Sequence, residues 1–500
     1  MPGRLMDILS TLRKHAGPAV TTGLSDDVIE RVLADSPTLA RAITLAGEAF
    51  KALSDEDRTL LTQPEEELYR ALQEDILNFY PAGGISRYVP LGAAGPWIVT
   101  AHGAVLHDSG GYGMLGLGHA PESLLTAMSE PFPMANVMTP TLVQRRFTRS
   151  LKREIGHRRG ACPFTKFICM NSGSEAVTVA ARITDTHARR MTEPNGPAEG
   201  REVRVLALEQ GFHGRTYRPA RFSESTRAAY VKALASFRGE PRDVQFVPIN
   251  KVDTLRKAFD DAQRDGIFYE GVYVEPVMGE GDSGLALTRE FYDAARSLSR
   301  EHGAMMVVDS IQAALRAHGC LSIIDYPGFE DCDPPDMETY SKALNAGQFP
   351  LSVLALNEKA AETYVRGTYG NTMTTNARAL AVGCAVLDTL TDELRENVRA
   401  RGRELLEGCE ALAREHEGAV RAVRGTGLIV CMDLNPEFYQ VEGGGGFEEF
   451  LRTNGIVMIH GGHNGLRFTP HLGITSAEIE LILGTVAEGL KTMRRESGSK

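Results

Sequence analysis

The sequence predicts an α/β fold built on a mostly parallel β-sheet. Between about residue 160 and residue 360, short β-rich runs alternate with amphipathic helical stretches. Such alternation is typical of a sheet whose strands are mostly parallel and whose two faces are covered by helices. Hydrophobic residues make up 42% of the chain and charged residues 24%, which is the usage of an ordinary globular protein. The candidate strands cover residues 166–170, 203–208, 271–275, 305–309, 337–340 and 352–356.

The region before the sheet is predicted to be helical. Ser25 can cap a helix whose apolar residues recur at helical spacing from Val28 to Leu33. Pro64 occupies a first helical position, and apolar residues follow at helical spacing up to Phe79. We therefore predict an acidic, amphipathic helical arm that serves as a packing layer or as a dimer contact.

The remaining elements follow in chain order. A central helix is predicted over residues 288–303, because a Thr precedes it and a Gly ends it. After about residue 376 the pattern changes to α+β, with a long helix over 379–405 and strands over 427–433, 457–460 and 466–469. Thr475 and Glu478 have the spacing of a capping box, which predicts the start of a final helix.

Length, charge and cysteine usage exclude several classes of protein. A chain of 500 residues suits one large enzyme subunit of two or three lobes. The net charge of −11 argues against a nucleic-acid binder, and no apolar run approaches the ~18 residues of a membrane span. The first twenty residues lack a basic cap followed by an apolar core, so no secretory signal is expected. Seven scattered cysteines, without a C-x-x-C pair or clustered histidines, predict a cytoplasmic protein with no disulfide framework and no metal site.

Several polar residues are predicted at the ends of strands, where α/β sheets bind their ligands. The segment 171–176 follows a strand and opens a helix, so its Gly and its free N–H groups can cradle a phosphate. A Ser/Gly turn that only caps the helix explains the same residues. Phe212 lies between glycines after another strand and can stack on a flat ring, or it can be a buried turn residue.

Two further strand ends carry charged groups. Asp309 ends a buried strand, where a carboxylate is costly unless it is paired; a protonated ring nitrogen or a helix cap would pair it. Lys342 follows the next strand and can act as an amine nucleophile, although a solvated surface lysine is the alternative. A phosphate turn, a stacking aromatic, a strand-end Asp and a strand-end Lys, in this order, match what pyridoxal 5'-phosphate (PLP) requires.

Over roughly residues 95–490 the chain resembles the class III (ornithine/ω-amino acid) aminotransferases of PLP fold type I. Residues 275–281 are similar to the family's Glu-Pro-x-x-Gly-Glu-Gly stretch, and residues 309–312 to its Asp-Glu-x-Gln element. Residues 341–344 match its Schiff-base lysine motif. The other segments that carry the resemblance are 171–176, 211–216 and 370–376.

The resemblance implies a large domain with a seven-stranded, mostly parallel sheet and an α+β small domain. It places a helical N-terminal arm at residues 1–95, the start of the small domain and a crossing segment at 96–150, the PLP-binding domain at 151–370 and the C-terminal small domain at 371–500.

The resemblance also implies a role for individual residues. Lys342 forms the Schiff base, and Asp309 pairs with the pyridinium nitrogen. The other cofactor-binding residues implied are Gly173 and Ser174 at the phosphate, Phe212 on the ring, Gln312 at the ring hydroxyl and Thr372 at the phosphate of a neighbouring subunit. The implied substrate-binding residues are Tyr112, Glu275, Glu280 and Arg467.

The implied activity is transfer of an amino group from an amino acid or ω-amine to a 2-oxo acid such as 2-oxoglutarate, by a homodimer. Arg467 would bind a carboxylate, and Glu280 would neutralise Arg467 when no carboxylate is bound. The sequence departs from the family pattern at Ser310, Met278 and residues 314–319. Another PLP reaction therefore stays open (racemisation or epimerisation, decarboxylation or amino-group migration), as does a PLP-fold binding protein without catalysis.

Overall fold

The computed structural model describes residues 2–80, 87–239 and 241–495. The helices in this part of the chain are, in order, α1 (Pro2–His15), α2 (Asp26–Leu33), α3 (Pro37–Ala52), α4 (Asp55–Leu60), α5 (Glu65–Gln73), α6 (Glu122–Ser129), α7 (Leu142–Glu154), α8 (Gly173–Thr192), α9 (Tyr217–Arg221), α10 (Arg227–Ala233), α11 (Val252–Arg264), α12 (Arg289–Glu301), α13 (Glu358–Thr363), α14 (Ala377–Asp388), α15 (Asp392–Glu415), α16 (Phe447–Thr453) and α17 (Ser476–Thr492).

The strands fall into three sheets. They are β1 (Pro90–Ala94), β2 (Trp97–Thr100), β3 (Val105–Asp108), β4 (Lys166–Met170), β5 (Glu202–Leu208), β6 (Val244–Val247), β7 (Ile267–Val274), β8 (Met305–Asp309), β9 (Met337–Tyr340), β10 (Ser352–Leu356), β11 (Val420–Thr426), β12 (Ile429–Leu434), β13 (Ile456–Val457), β14 (Ile459–Gly461) and β15 (Gly465–Phe468).

The chain divides into two units that are each compact. Unit 1 comprises residues 1–122, 400–424 and 430–500, and unit 2 comprises residues 123–399 and 425–429. The boundaries between these two units differ from those of the four predicted segments. The boundaries of those segments stay a prediction.

Unit 2 contains the predicted seven-stranded sheet. Its strand order is β4-β10-β9-β8-β7-β5-β6. The pairs from β9 to β6 are parallel, whereas β10 is antiparallel to both β4 and β9. The prediction of a mostly parallel sheet is therefore confirmed. The strand β6 was not predicted, because four residues at the edge of a sheet are too few to show a period.

The core of unit 2 lies between this sheet and α8. Ala176, Val177 and Ala180 of α8 pack with strand residues such as Val307 and Leu354 in one buried cluster. Burial on both faces explains why the central strands are mostly apolar. Asp309 lies at the end of its strand, where the chain leaves the sheet, whereas Glu270 and Glu338 are buried within theirs.

Unit 1 contains the N-terminal helices and two four-stranded sheets, with orders β1-β2-β3-β13 and β11-β12-β15-β14. Leu9, Ile29 and Ile43 from the first helices are fully buried against Trp97 and other strand residues. The predicted helical arm is thus a packing layer for the strands that begin at residue 90. The second predicted helix of this arm ends at Gln73 rather than near residue 79.

The C-terminal elements correct three predictions. The predicted helix 379–405 is two helices, because Thr391 accepts a 3.2 Å hydrogen bond from Leu394 N and starts α15 as a new helix. The predicted strand 427–433 begins instead at Ile429, because Gly427 turns the chain with φ +57°. The predicted strand 457–460 is split at Met458, since β13 pairs with β3 and β14 pairs with β15. The capping box of Thr475 and Glu478 is confirmed.

No helix in the described part of the chain has the length and apolar character that crossing a membrane requires.

Candidate active site

Asp309 is the centre of the candidate site in unit 2. It ends β8 and is 4% exposed. Its Oδ2 lies 2.9 Å from His213 Nδ1, and its Oδ1 accepts hydrogen bonds from Thr339 Oγ1 at 2.9 Å and Ile311 N at 3.2 Å. The cost of burying this carboxylate is offset by these contacts, which also fix its orientation.

The sheet brings Lys342 to the same edge. Asp309 on β8 is directly opposite Thr339 on β9, and Lys342 follows Thr339 by three residues. Lys342 begins a short 3-10 helix and has φ +44°, a left-handed conformation that costs energy in a residue other than Gly. Ser341 Oγ and Asn345 Nδ2 both donate to Leu351 O, at 2.9 and 2.8 Å, and hold this turn in place.

His213 is a buried partner that the sequence analysis did not single out. It is 1% exposed, and its Nε2 has no hydrogen-bond partner among the described residues. Burial lowers the pKa of His213, but the hydrogen bond and charge of Asp309, with the charge of Glu275, outweigh burial and raise it overall. The neighbouring carboxylates therefore favour the protonated imidazole of His213.

Glu275 connects two backbone segments. It follows β7 and is 1% exposed. Its Oε1 accepts from Phe212 N at 2.8 Å and its Oε2 from Gly279 N at 3.0 Å. Burial raises the pKa of Glu275 to about 7, and the charge of Asp309 adds to this shift. Both oxygens are thus used to position the turn that carries the half-buried ring of Phe212.

The N-terminus of α8 and the turn at residues 211–216 form a close cradle. Ser172 and Glu175 form the capping box of α8, and the first N–H groups of a helix have no partner within it. Ser174 Oγ accepts from Arg215 N at 2.8 Å. A Cβ on Gly214 would lie 2.0 Å from Ser174 Oγ, so only Gly allows this approach. The free N–H groups, the hydroxyl and the helix dipole suit a phosphate.

Glu175 joins the cradle to the segment before α14. Its Oε1 accepts from Tyr369 Oη and from Asn371 Nδ2, the latter at 2.8 Å. Burial raises the pKa of Glu175, but these bonds and those from Asn171 N and Ser172 N outweigh burial and lower it. The predicted Thr372 is exposed next to this segment of the same chain.

Gln312, three residues after Asp309 in the chain, lies next to Glu280. Gln312 Nε2 donates to Glu280 Oε2 at 3.3 Å, and Gln312 is 8% exposed. A Cβ on Gly279 would lie 2.3 Å from Gln312 Cδ, so the Gly is needed for this packing. The contact places a predicted ring-hydroxyl partner beside a predicted substrate residue.

The other two predicted substrate residues belong to unit 1. Arg467 lies on β15 between β12 and β14, opposite Cys431 and Ile459, and is 8% exposed. Tyr112 is 51% exposed and has φ 48°. Burial of its hydroxyl raises the pKa of Tyr112, and the charge of Asp108 adds to this effect.

The departure at Ser310 has a local explanation. Ser310 Oγ donates to Glu338, which is fully buried on β9 and also accepts from Ser322 Oγ and Ile323 N. Burial raises the pKa of Glu338 to about 7 against these hydrogen bonds. The sequence analysis did not predict Thr339, Glu338 or His213 as site residues. The one available signal was that Thr339 lies on a predicted strand three residues before Lys342.

The arrangement fits PLP. The phosphate of PLP matches the cradle at Ser174. Its ring nitrogen matches the oriented carboxylate of Asp309, and the face of its ring matches the aromatic side chain of Phe212. A primary amine begins the turn at the same sheet edge. These residues are therefore able to hold the cofactor and to supply an amine.

A family model and a known relative both match most of the chain. The model of the family described as "Aminotransferase class-III" matches residues 85–490. The chain is 29% identical over 420 residues to ornithine aminotransferase 2 of Staphylococcus aureus, covering 82% of this chain and 96% of that protein.

Solved structures share the fold. An ornithine aminotransferase structure from Toxoplasma gondii, described as revealing partial occupancy of PLP at its active site, has TM-score 0.71 and 22% identity, covering 86% of this chain and 94% of that one. An N-acetylornithine aminotransferase from Stenotrophomonas maltophilia has TM-score 0.65 and 22% identity, covering 84% and 98%.

Proposed function

Because the chain belongs to the class III aminotransferases and so transfers amino groups with PLP, we propose that its amino donor is a diamino acid of the ornithine class and its acceptor a 2-oxo acid such as 2-oxoglutarate. The observation that carries the proposal is the buried Asp309, held between His213 and Thr339 at the sheet edge where Lys342 follows. The names of the relatives support the donor class.

We assign the chemical roles as follows. When bound, PLP supplies an electron sink for the carbanion next to the amino group. Lys342 holds the cofactor and then moves a proton at its Nζ as general acid and base. Asp309 keeps a proton on the ring nitrogen, since a nearby carboxylate favours the cation. Glu275 is a positioning residue, because its oxygens hold the backbone of Phe212 and Gly279.

We assign substrate recognition to Arg467, Glu280 and Tyr112. Arg467 is buried on the central part of a sheet, where a guanidinium can bind a carboxylate through two parallel hydrogen bonds. Glu280, next to Gln312 in unit 2, is a second charged residue that we assign to the substrate. Tyr112, half exposed, would shape the pocket for the donor.

We further propose a cytoplasmic homodimer. All seven cysteines are free, which suits a reducing compartment. Unit 2 exposes apolar side chains around the predicted crossing segment, and such a patch marks an interaction surface. Thr372 would complete the site of the neighbouring subunit; its carbonyl accepts from Asn136 Nδ2 at 3.0 Å, which joins it to the same segment. The most exposed apolar residues there are Met134, Val137, Met138, Leu142 and Met373.

The test is a visible absorption scan of PLP-loaded protein with L-ornithine, N-acetyl-L-ornithine, L-glutamate and a diamine, each added without a 2-oxo acid. We expect ornithine to bleach the band of the bound cofactor and 2-oxoglutarate to restore it. Mass spectrometry of the product then distinguishes an aldehyde, from transfer of the terminal amine, from a 2-oxo acid, from transfer of the α-amine.

The outcomes separate the alternatives. A band that bleaches only with another donor would overturn the ornithine assignment and name that donor instead. Formation of more than one product per bound cofactor without a 2-oxo acid would indicate racemisation, decarboxylation or amino-group migration. For the homodimer, analytical ultracentrifugation of Leu142→Glu should show a weakened dimer, while the exposed Leu77→Glu, in unit 1, should not.

A further inference from the structure

Three potential metal ligands meet in unit 1, and none of them was assigned to the substrate or to the cofactor above. His107 lies on β3, His471 in the segment between β15 and α17, and Glu478 in the first turn of α17. Their ligand atoms lie within 4.8 Å of one another. His107 is fully buried, whereas the side chains of His471 and Glu478 are 15% and 13% exposed. The cluster is thus nearly enclosed but has a path to solvent.

The distances suit a shared ion better than a hydrogen-bonded triad. His107 Nε2 and His471 Nε2 each lie 3.5 Å from Glu478 Oε1. A charge-assisted N–H to carboxylate bond would bring these atoms to about 2.7–2.9 Å. Ligands at zinc distances of about 2.0–2.2 Å on a tetrahedron lie about 3.4 Å apart. Both nitrogen–oxygen distances therefore match the spacing of ligand atoms around one metal ion.

The imidazole nitrogens that face the centre approach Glu478 only to 3.5 Å. Nε2 of His107 and Nε2 of His471 are both buried and have no hydrogen-bond partner among the described residues. A buried polar atom without a partner is costly, and a bound ion would remove that cost.

Hydrogen bonds on the side away from the centre also orient two of the ligands, His107 and Glu478. His107 Nδ1 lies 2.9 Å from Ser109 Oγ; if the ring donates to this hydroxyl, the lone pair on Nε2 points to the centre. Glu478 Oε2 accepts from Thr475 N at 2.7 Å and from Thr475 Oγ1 at 2.9 Å, which turns Oε1 towards the histidines. The metal-facing atoms of His107 and Glu478 are thus each fixed by a contact of the opposite atom of the group.

We propose that His107, His471 and Glu478 bind one divalent transition-metal ion of the Zn²⁺ type, with water completing its coordination. Two imidazoles and a carboxylate are a donor set that Zn²⁺ accepts, and three protein ligands leave a position for solvent. The ion would connect strand β3 to the start of α17 and so stabilise unit 1. This proposal departs from the sequence-based prediction of no metal site, because the ligands come from distant parts of the chain.

The test uses PLP-loaded protein that has been treated with a chelator and freed of excess PLP, titrated with Zn²⁺ and with Co²⁺. We expect one ion per chain in isothermal titration calorimetry, visible absorption bands typical of four-coordinate Co²⁺, and a higher unfolding temperature with Zn²⁺. Since the free cysteines also bind these ions, variants must locate the site.

His471→Gln is the primary variant, because its side chain reaches the surface and its loss should leave the fold intact. Glu478→Gln keeps the length of the capping side chain, and the partly exposed His416→Gln of unit 1 is the matched control. We expect the first two variants to lose the Co²⁺ bands and the Zn²⁺-dependent rise in unfolding temperature, and the control to keep both. Absence of binding to the unaltered enzyme, or binding that survives in both site variants, would overturn the proposal.

Discussion

His213 Nδ1 lies 2.9 Å from Asp309 Oδ2, and the two residues are 1% and 4% exposed. Thr339 binds the other carboxylate oxygen, also at 2.9 Å. Asp309 is therefore held from two sides by groups on different segments, one on the turn beside α8 and one on β9. Its position relative to a bound ring depends on both.

Replacement of His213 by Phe should lower kcat by about 10–100-fold, since a hydrogen bond to a charged group contributes about 1.5–3 kcal/mol. The raised pKa of His213 adds a pH dependence. A raised folded-state pKa stabilises the fold fully below the ordinary value of 6.5, and this contribution is lost as pH rises through the folded-state pKa. The loss of unfolding free energy in His213→Phe, measured with urea, should therefore be larger at pH 6 than at pH 9. An equal loss at both pH values would contradict the ion pair.

Thr339→Val should lower kcat by about tenfold, because it removes the hydroxyl that binds Asp309 Oδ1 and changes little else. Thr363→Val is the matched control, because Thr363 is 4% exposed and so nearly as buried as Thr339. Its Oγ1 donates to Lys359 O at 2.8 Å. Both variants should lose about 1 kcal/mol of unfolding free energy. A similar fall of kcat in both would mean that Thr339 acts only through stability.

Lys342→Ala should lower turnover by at least about 10²–10⁴-fold, the usual contribution of a positioned general acid or base. Lys359→Ala, at an exposed position on α13, should leave turnover unchanged. Steady-state assays with the donor identified by the absorption scan measure both. Full turnover in Lys342→Ala would refute the assignment of the amine.

The predicted strand ends were accurate because the central strands are buried on both faces and so read as apolar runs. The sequence analysis located Asp309 in this way, since it ends such a run, and Lys342 by its position two residues after the next strand, β9. It missed His213, which lies 96 positions from Asp309 and meets it only through the order of strands in the sheet. Neither period nor composition encodes that order.

The C-terminal errors have a different cause. The boundary at Thr391 depends on one side-chain hydrogen bond to Leu394 N, and the split at Met458 depends on which neighbours accept β13 and β14. Periodicity continues across both positions. The cluster of His107, His471 and Glu478 was likewise invisible, because its members lie on three elements with no shared motif.

Glu338→Gln should change the pH dependence of stability. Burial raises the pKa of Glu338 from 4.5 to about 7 in the folded protein. Between these pH values the unfolded chain releases the proton while the folded one keeps it, so the wild type loses stability as pH rises. Gln does not titrate, and we expect it to gain about 3 kcal/mol relative to the wild type between pH 4.5 and 7. Urea unfolding across this range measures the difference, and a constant difference would show that Glu338 stays ionised in the fold.

Arg218 offers a comparison of a buried and an exposed ion pair within one side chain. Its NH2 group lies 2.7 Å from both oxygens of Glu270, whose side chain is fully buried, and its NH1 group lies 2.7 Å from Asp185, whose side chain is 59% exposed. Asp185→Asn should cost less than about 1 kcal/mol of unfolding free energy, because water screens an exposed pair.

Arg218→Met should destabilise the protein at pH 8 by about 1–2 kcal/mol through the loss of charge, because protonation of Glu270 limits the cost of leaving its carboxylate buried without a compensating charge. The cost should shrink at pH 5: burial already raises the pKa of Glu270 to about 7 against the opposing charge of Arg218, and removal of that charge raises it further, so a proton can then neutralise the group. The double variant Arg218→Met, Glu270→Met should recover most of the loss, since it removes the stranded charge along with its partner. Equal costs for Asp185→Asn and Arg218→Met, or a loss in the double variant as large as in Arg218→Met alone, would show that packing of the arginine stem, and not the buried charge, determines the stability of this region.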